Sequence, residues 1–316
     1  MSEEMRERDG VKVDVSVIIV NWNTRDLLAQ CLKSVFDTAG DLALELFVVD
    51  NASSDGSADM VRERFPQVRL IENSENVGFA KANNQAIRQS RGRYVLLLNP
   101  DTEVKPLALE MLVRFMDETP LAGAVGGTLV SPDGSMQPSS GPAPTLMREL
   151  WRLFHMDRLN AQGCHDLCQD VLKIPQEVEV VKGACMLLRR EALDQVGLLD
   201  EDYFIYTEEV DLCHRLRASG WKVYCVPRAM VVHYGGQSTS QVQRTMFLHL
   251  YRSKILFFRK HHGRLSAQLY KLILLCAALA RLTISPLAWL ERSPQRERHR
   301  SLASCYLQLV KILPRL

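Results

Sequence analysis

The feature that most constrains this chain is a repeated one. Residues 94–98 (YVLLL) are five apolar side chains in a row without alternation, and residues 15–20 (VSVIIV) and 44–49 (LELFVV) are β-rich runs of similar kind. Such runs suit parallel strands covered on both faces, where neither face is left for polar residues. Helical patterns fall between them. The first runs over about 24–36, capped by Asn23 or Thr24, with Leu27, Leu28, Cys31, Leu32 and Val35 on one face. Others follow at 57–65 and 78–89, with a further strand at 68–71. This alternation predicts a doubly wound, mostly parallel α/β sheet flanked by helices.

In open α/β sheets ligands bind beyond the carboxyl ends of the strands, because helices cover the faces. Acids stand at two such ends: Asp50 follows the second run, and Asp101 follows the Asn99-Pro100 that closes the last. An ordinary turn also places Asp there, for local hydrogen bonding. Two acid-bearing ends can instead hold two parts of one ligand across a shared crevice. Neither G-x-G-x-x-G nor G-x-x-x-x-G-K-[ST] follows any of these strands, so the usual pyrophosphate cradle of a dinucleotide dehydrogenase or P-loop ATPase is missing. A nucleoside diphosphate bound here needs a divalent cation, and Asp101 offers the hard oxygen that suits Mg²⁺ or Mn²⁺.

The remaining sequence supplies a second polar cluster. The pattern continues with a helix at 106–117, a glycine-bearing strand at 121–130, a Ser, Pro and Gly loop at 131–144, a helix at 147–160, a strand at 178–189 and a helix at 190–196 closed by Gly197. Cys164-His165-x-x-Cys168 lacks a further ligand at zinc-finger spacing and is read as no metal site. Residues 203–216 (YFIYTEEVDLCHRL) then place Thr207 as an N-cap, with Glu208, Glu209 and Asp211 in the first helical turn and Asp211 four residues before Arg215. A capped surface helix accounts for all of that. The bulky Tyr203, Phe204 and Tyr206 just before it favour a walled pocket. After a strand at 222–226, residues 230–233 (MVVH) deliver His233 to a glycine-bearing loop. A lone His there is more often structural than a ligand.

The segments VSVIIVNWNT, VVDNASSDGS, NVGFAKANNQAI and YVLLLNPDTEV, in that order and spacing, resemble the N-terminal half of a family 2 inverting glycosyltransferase of the GT-A fold. Rhamnosyltransferase-like members are nearest in character, and the resemblance spans about 15–240. It implies that Asp50 contacts the nucleoside of a nucleotide-sugar donor and that Asn99-Pro100-Asp101 stands for the family's Asp-x-Asp motif. Asn99 replaces the first acid, so a metal would lean on Asp101. Ala86 stands where relatives often carry Gly. The stretch from Glu208 resembles the signature E-D/E-x-D-L-x-x-R-L, closing on Gly220-Trp221, whose second acid is the usual general base. That position is Glu209, with Glu208 and Asp211 orienting it or touching the acceptor. His233, Gly236 and Ser238 match the family's H-x-x-G-x-S setting, which makes His233 a metal ligand beside Asp101. The expected donor-binding set is Asn21, Asn23, Asp50, Asn51, Ser53, Asn76, Gly78, Phe79, Asn99 and Asp101, and the expected cofactor is Mg²⁺ or Mn²⁺.

Charge divides the chain. Residues 252–316 carry 13 Lys and Arg against two acids, about +11, which leaves about −9 on residues 1–251 out of a total of +2. Such asymmetry suggests an anionic partner for one end. A helix is expected at 243–260 with Tyr251, Ile255 and Phe258 on one side, then the basic cluster 259–264. Residues 272–280 are apolar but only nine long, and Pro286 interrupts the next apolar patch, short of the ~20 residues a membrane span needs. Helices lying on an anionic inner leaflet fit better, with Trp289 at headgroup depth and Arg296, Arg298 and Arg300 outside it. A helical appendage packed on the protein or on a second subunit is the alternative. The organisation is thus a polar tail at 1–14, a catalytic domain at 15–240 and a basic helical extension at 241–316. The eight scattered cysteines and the polar N-terminus favour the cytosol, with the protein peripheral on the inner face of the cell membrane. Expected partners are a nucleotide-sugar donor, a glycan or lipid-linked glycan acceptor and an anionic membrane, with no nucleic acid; homo-oligomers stay open. Two other classes remain: a nucleotidyltransferase, which usually needs a basic Gly-rich loop, and a non-catalytic nucleotide-sugar-binding or membrane scaffold protein. The joint presence of Asp101, Glu209 and His233 argues against the second.

Overall fold

A computed structural model describes residues 12–154, 174–237, 241–284 and 293–316. By contacts the chain forms two units, the first built from residues up to 143 with 165–204 and 208–241, the second from 144–164, 205–207 and 242–316.

The first unit is built on strands β1 (Val15–Asn21), β2 (Leu44–Asp50), β3 (Arg69–Glu72) and β4 (Tyr94–Leu98), with helices α1 (Arg25–Asp37), α2 (Ser57–Arg64) and α3 (Phe79–Ile87) between them. β1 pairs in parallel with both β2 and β4, and β2 with β3. All seven residues of β1 are buried. Val15, Val17 and Ile19 join one apolar cluster with Leu28, Leu32 and Val35 of α1, while Ile18 and Val20 join another with Ala80, Ala86 and Ile87 of α3. The period-two division across a sheet covered on both faces is why the run lacks alternation.

Beyond β4 the order is β5 (Thr102–Val104), α4 (Ala108–Glu118), β6 (Ala122–Val130), β7 (Ser140–Gly141), α5 (Leu146–Leu153), β8 (Gln176–Glu177), β9 (Val180–Val181), β10 (Cys185–Arg189), α6 (Arg190–Val196), α7 (Glu208–Ala218) and β11 (Lys222–His233). The main sheet runs β3-β2-β1-β4-β10-β6-β11-β5, with β8 on β11, while β7 and β9 pair separately. Two expectations change. The single strand foreseen at 178–189 is broken around Lys182-Gly183, because β9 pairs with β7 whereas β10 runs antiparallel between β4 and β6. The two pieces foreseen near 222–226 and 230–233 are one strand, its register on β6 shifting between Val226 and Met230. β5, which the sequence pattern did not reveal, pairs antiparallel with the end of that strand, setting Thr102 opposite His233.

The second unit contains α5, α8 (Gln243–Ile284), α9 (Ser293–Ile312) and a closing 3₁₀ turn at Leu313–Arg315. Thr145 caps α5 by accepting from the Arg148 amide at 3.2 Å. The Glu149 carboxylate is buried yet accepts from Lys254 Nζ at 2.8 Å, Arg152 at 2.6 Å and the Tyr270 hydroxyl at 3.0 Å. Burial works to raise its pKa, but Lys254 and Arg152 overcome this and hold it lowered. Tyr251, Ile255 and Phe258 lie together in the core as their spacing implied. The helix foreseen to stop at 260 continues to 284 through a kink at Gly263, where φ is 83°.

After that kink the outward residues are Leu265, Leu269, Leu272 and Leu279, 74%, 43%, 55% and 48% exposed, with exposed Cys276 among them. They recur every three or four residues, so they form one stripe about 21 Å long. Ile273 and Leu275 are only part-exposed and pack against the helical core. By length and composition Gln243–Thr283 is also apolar enough to cross a membrane, since the nine-residue apolar run sits inside a longer helix than expected. Among the described residues Cys31, Cys185, Cys213, Cys276 and Cys305 are free thiols, whereas Cys225 is disulfide-bonded. The expectations at Cys164-His165-x-x-Cys168, Ser238, Pro286 and Trp289 lie outside the described residues.

Candidate active site

The carboxyl ends of β1 and β2 meet in register, Asn21 opposite Asp50. Asn21 Nδ2 donates to Asp50 Oδ1 at 2.9 Å and to Ser53 Oγ at 3.0 Å, and the Ser53 amide donates to Asp50 Oδ2 at 2.9 Å. The Asn23 amide reaches Ser53 Oγ at 2.9 Å, and Asn23 Oδ1 receives the Ser54 amide at 2.7 Å. Thr24 begins α1, but its hydroxyl donates to Asn21 Oδ1 at 2.7 Å instead of capping the helix. Asp55 takes up the Arg25 amide in its place, at 2.8 Å. The two strand-end loops are therefore tied to each other, and Asn21, Asn23, Asp50 and Ser53 form one network.

Asn51 extends that network. Its Nδ2 donates to the Gly78 carbonyl at 3.3 Å and its Oδ1 receives Asn73 Nδ2 at 2.9 Å, while Asn73 and Gln85 bond to each other. Asn76 Oδ1 receives the Gly78 amide at 3.0 Å. Gly78 has φ 87°, and a Cβ there would stand 2.6 Å from the Phe204 carbonyl oxygen, so only Gly fits. The Phe79 amide donates to that same carbonyl. The start of α3 is thereby joined to the aromatic segment that precedes α7.

A second group gathers at the ends of β4, β5 and β11. Asp101 is buried, and its carboxylate is approached by the Gln237 amide at 3.4 Å and by His233 Nε2 at 3.5 Å. Asn99 Nδ2 lies 3.5 Å from the same Nε2. On the far side of the imidazole, Nδ1 is 2.9 Å from Gln137 Oε1. Burial lowers the His233 pKa, although Asp101 pulls it upward, and the neutral ring is favoured.

The third group is the start of α7. Tyr206 and Thr207 have φ of 66° and 73°, a left-handed pair that is strained for a β-branched residue, so Thr207 does not take the usual N-cap geometry. Of the three acids that follow, Asp211 is buried and receives Arg215 Nε at 2.7 Å, the i,i+4 pair foreseen. Glu208 is buried, and burial first, then the charges of Glu209 and Asp211, push its pKa well up, favouring the protonated form. Glu209 is half-buried. Its Oε2, like that of Glu208, has no partner among the described residues. A side chain at Gly183 would meet Glu209 Cβ at 3.8 Å and the Phe79 ring at 3.9 Å. One residue on, the Ala184 carbonyl accepts the Asn99 amide at 3.0 Å. The break between β9 and β10 therefore brings Glu209, Phe79 and Asn99 to one place.

A cavity of about 490 Å³ is lined by Lys12, Arg93, Asp117, Arg189 and Arg190 among others. It opens at the amino end of β4, and its guanidiniums serve the fold: Arg189 donates to the carbonyls of Ala122, Met116 and Thr119.

Asp101 and His233 suit a divalent cation. A carboxylate oxygen and a ring nitrogen, both of kinds that ligate divalent cations, lie 3.5 Å apart. No group of three His, Cys, Asp or Glu that could hold a metal occurs among the described residues. Sequence reasoning missed Gln137, Asn73, Gln85 and Gly183. Gln137 sits in a loop recognisable only by composition, and its partner is 96 residues away.

The site is that of an open, doubly wound α/β sheet with acids gathered at the carboxyl ends of its strands, where such sheets bind ligands. The glycosyl transferase family 2 model matches residues 16–197, and the chain belongs to that family. It is 30% identical over 274 residues to an N-acetylglucosaminyl-diphospho-decaprenol L-rhamnosyltransferase of Mycobacterium tuberculosis, covering 78% of this chain and 84% of that one. In fold it is similar to a mannosyltransferase from Pyrobaculum calidifontis in complex with GDP-Man and Mn²⁺, with TM-score 0.57 and 19% identity over 96% of this chain and 85% of that one. It is also similar to S. aureus TarS residues 1–349, with TM-score 0.52 and 16% identity over 96% and 92%. The GT-A architecture foreseen from the sequence is thus present, and the nucleotidyltransferase alternative is set aside.

Proposed function

We propose that the protein transfers a sugar, rhamnose by analogy with its mycobacterial relative, from a nucleoside diphosphate donor to a hydroxyl on a glycan or lipid-linked glycan, with inversion at the anomeric carbon. The observation that carries the mechanism is the state of the three acids at α7. Asp211 is committed to Arg215 and Glu208 is held toward its neutral form, which leaves Glu209, whose Cβ lies beside Gly183, as the carboxylate with an unpartnered oxygen. Glu209 takes the proton of the acceptor hydroxyl as its oxygen bonds to the anomeric carbon. The bond from that carbon to the diphosphate oxygen breaks on the opposite face, and the nucleoside diphosphate leaves with the electron pair. Asn21, Asn23, Asp50, Asn51 and Ser53 bind the nucleoside, and Asn76, Gly78, Phe79 and Asn99 complete the donor site. Asp101 and His233 would hold Mg²⁺ or Mn²⁺, which would supply charge neutralisation for the departing diphosphate. The exposed leucine stripe and the basic residues before it rest on an anionic membrane, on the cytoplasmic side, where a lipid-linked acceptor is within reach.

Release of nucleoside diphosphate from a panel of nucleotide sugars, with Mg²⁺ or Mn²⁺ and with chelator, tests this reading. Asp101→Ala should abolish metal-dependent donor binding and nearly all turnover, with His233→Ala milder. Glu209→Gln should keep donor affinity and lower turnover by about 10²-fold or more. Full activity of Asp101→Ala in chelator would overturn the metal's role. Loss of rate in Glu208→Gln with Glu209→Gln intact would move the base to Glu208. No release from any donor would favour a non-catalytic binding protein.

A further inference from the structure

We propose that Gln137 is a positioning residue for the metal site, fixing the tautomer and the plane of the His233 ring; this rests on the reading of His233 as a metal ligand. The amide's orientation follows from its partners. Gln137 Nε2 donates to the His233 carbonyl at 2.7 Å and to Ser131 Oγ at 3.1 Å. A backbone carbonyl can only accept, so the nitrogen must face it, and Oε1 is left toward the imidazole. Oε1 in turn can only accept. Nδ1, 2.9 Å away, must therefore carry a proton, and Nε2, the atom that faces Asp101, is the nitrogen left to ligate. One side chain thus grips both the backbone and the ring of the same residue.

The loop that carries Gln137 is built to hold it still. The Ser131 amide donates to the Ser135 carbonyl at 2.7 Å, and the Gly134 amide to the Ser131 carbonyl at 2.9 Å. Asp133 Oδ1 receives the amide and hydroxyl of Ser135 at 2.9 and 2.6 Å. The Gln137 amide then donates to the Leu129 carbonyl at 2.9 Å, closing the turn onto the end of β6. Without Gln137, the ring can rotate about its side-chain bonds and carry its proton on either nitrogen. Metal ligands that lose such an outer partner typically bind about 10- to 100-fold more weakly.

The test is Mn²⁺ binding in the presence of inorganic pyrophosphate, which offers the same oxygens as any nucleoside diphosphate. Free Mn²⁺ is read by electron paramagnetic resonance, and imidazole ligation by ¹⁴N modulation of the bound signal. Gln137→Leu should weaken Mn²⁺ by about 10-fold or more and diminish the modulation. Gln137→Glu, which still offers Nδ1 an acceptor although it loses the bond to the His233 carbonyl, should recover part of both; a merely structural role for the loop would not distinguish these two variants. His233→Ala should abolish the modulation altogether. If Gln137→Leu binds within about twofold of the parent with its modulation intact, or if Gln137→Glu is as impaired as Gln137→Leu, the positioning role is wrong while the metal reading stands. If the parent shows no modulation and His233→Ala binds Mn²⁺ unchanged, the metal reading of His233 fails, and this inference with it.

Discussion

At the scale of single residues, Glu208 at the start of α7 is pushed toward its neutral form by its surroundings. Glu208 loses hydration on folding and sits beside the charges of Glu209 and Asp211, so its folded pKa lies well above the ordinary carboxylate range. The folded chain then binds this proton more tightly than the unfolded chain does. Its contribution to stability is full below the ordinary Glu value, about 4.3, and is lost as pH rises through the raised folded value. Glu208→Gln keeps the shape and removes the ionisation. Thermal melts from about pH 5 to about pH 9 should therefore show the parent losing stability with rising pH more steeply than the variant, and the variant melting a few degrees higher at the alkaline end. Parallel melting profiles for the two proteins would mean that Glu208 ionises freely.

At the scale of elements, α7 is anchored to the end of α6 and the two residues after it through three carbonyls bound by Arg215, whose guanidinium is held by an ion pair within α7. Arg215 bonds Asp211 and also donates to the carbonyls of Val196, Gly197 and Leu198, at 2.7, 3.2 and 2.8 Å. Asp211→Asn leaves that guanidinium without its carboxylate and should cost about 3 kcal/mol, the low end for breaking a buried pair because Arg215 is partly exposed. Urea unfolding should show a lower midpoint with an unchanged slope. A drop in turnover at unchanged stability would instead make Asp211 a residue of the reaction. The elements also show what the sequence could and could not reveal. β1, β2 and β4 were legible because two-sided burial leaves an uninterrupted apolar run, and Asp50 and Asp101 were legible because the strands deliver them. β5 was not, since three residues have no period of their own and pair only with Val231–His233, far along the chain. The break between β9 and β10 was equally hidden, because it depends on which strands each half joins. Glu209 could be named from its motif, but its setting beside Gly183 follows only from that break.

At the scale of the whole molecule, the C-terminal region combines positive charge with an outward apolar stripe. Arg259, Lys260 and Arg264 are exposed, and from Leu265 to Thr283 the exposed residues carry no charge. Attraction to an anionic leaflet contributes on the order of 1 kcal/mol per well-placed cation and weakens with salt, whereas burial of Leu265, Leu269, Leu272 and Leu279 adds a salt-insensitive part. Within the apolar run 272–280, Ile273 and Leu275 turn toward the helical core and leave Leu272 and Leu279 to the outward stripe. Flotation of the full chain should therefore succeed with vesicles containing phosphatidylglycerol at low salt, weaken at high salt without vanishing, and fall with purely zwitterionic vesicles. Replacing Leu269 and Leu272 together by Glu should remove the residual binding at high salt while Ile273→Ala reduces it little. The same leucines recur at the spacing of a helix-pairing seam, so sedimentation of parent and double variant without lipid must run beside the flotation. A parent that sediments as a dimer and does not float, with the double variant a monomer, would assign the stripe to a second copy of the chain and remove the membrane from the proposal.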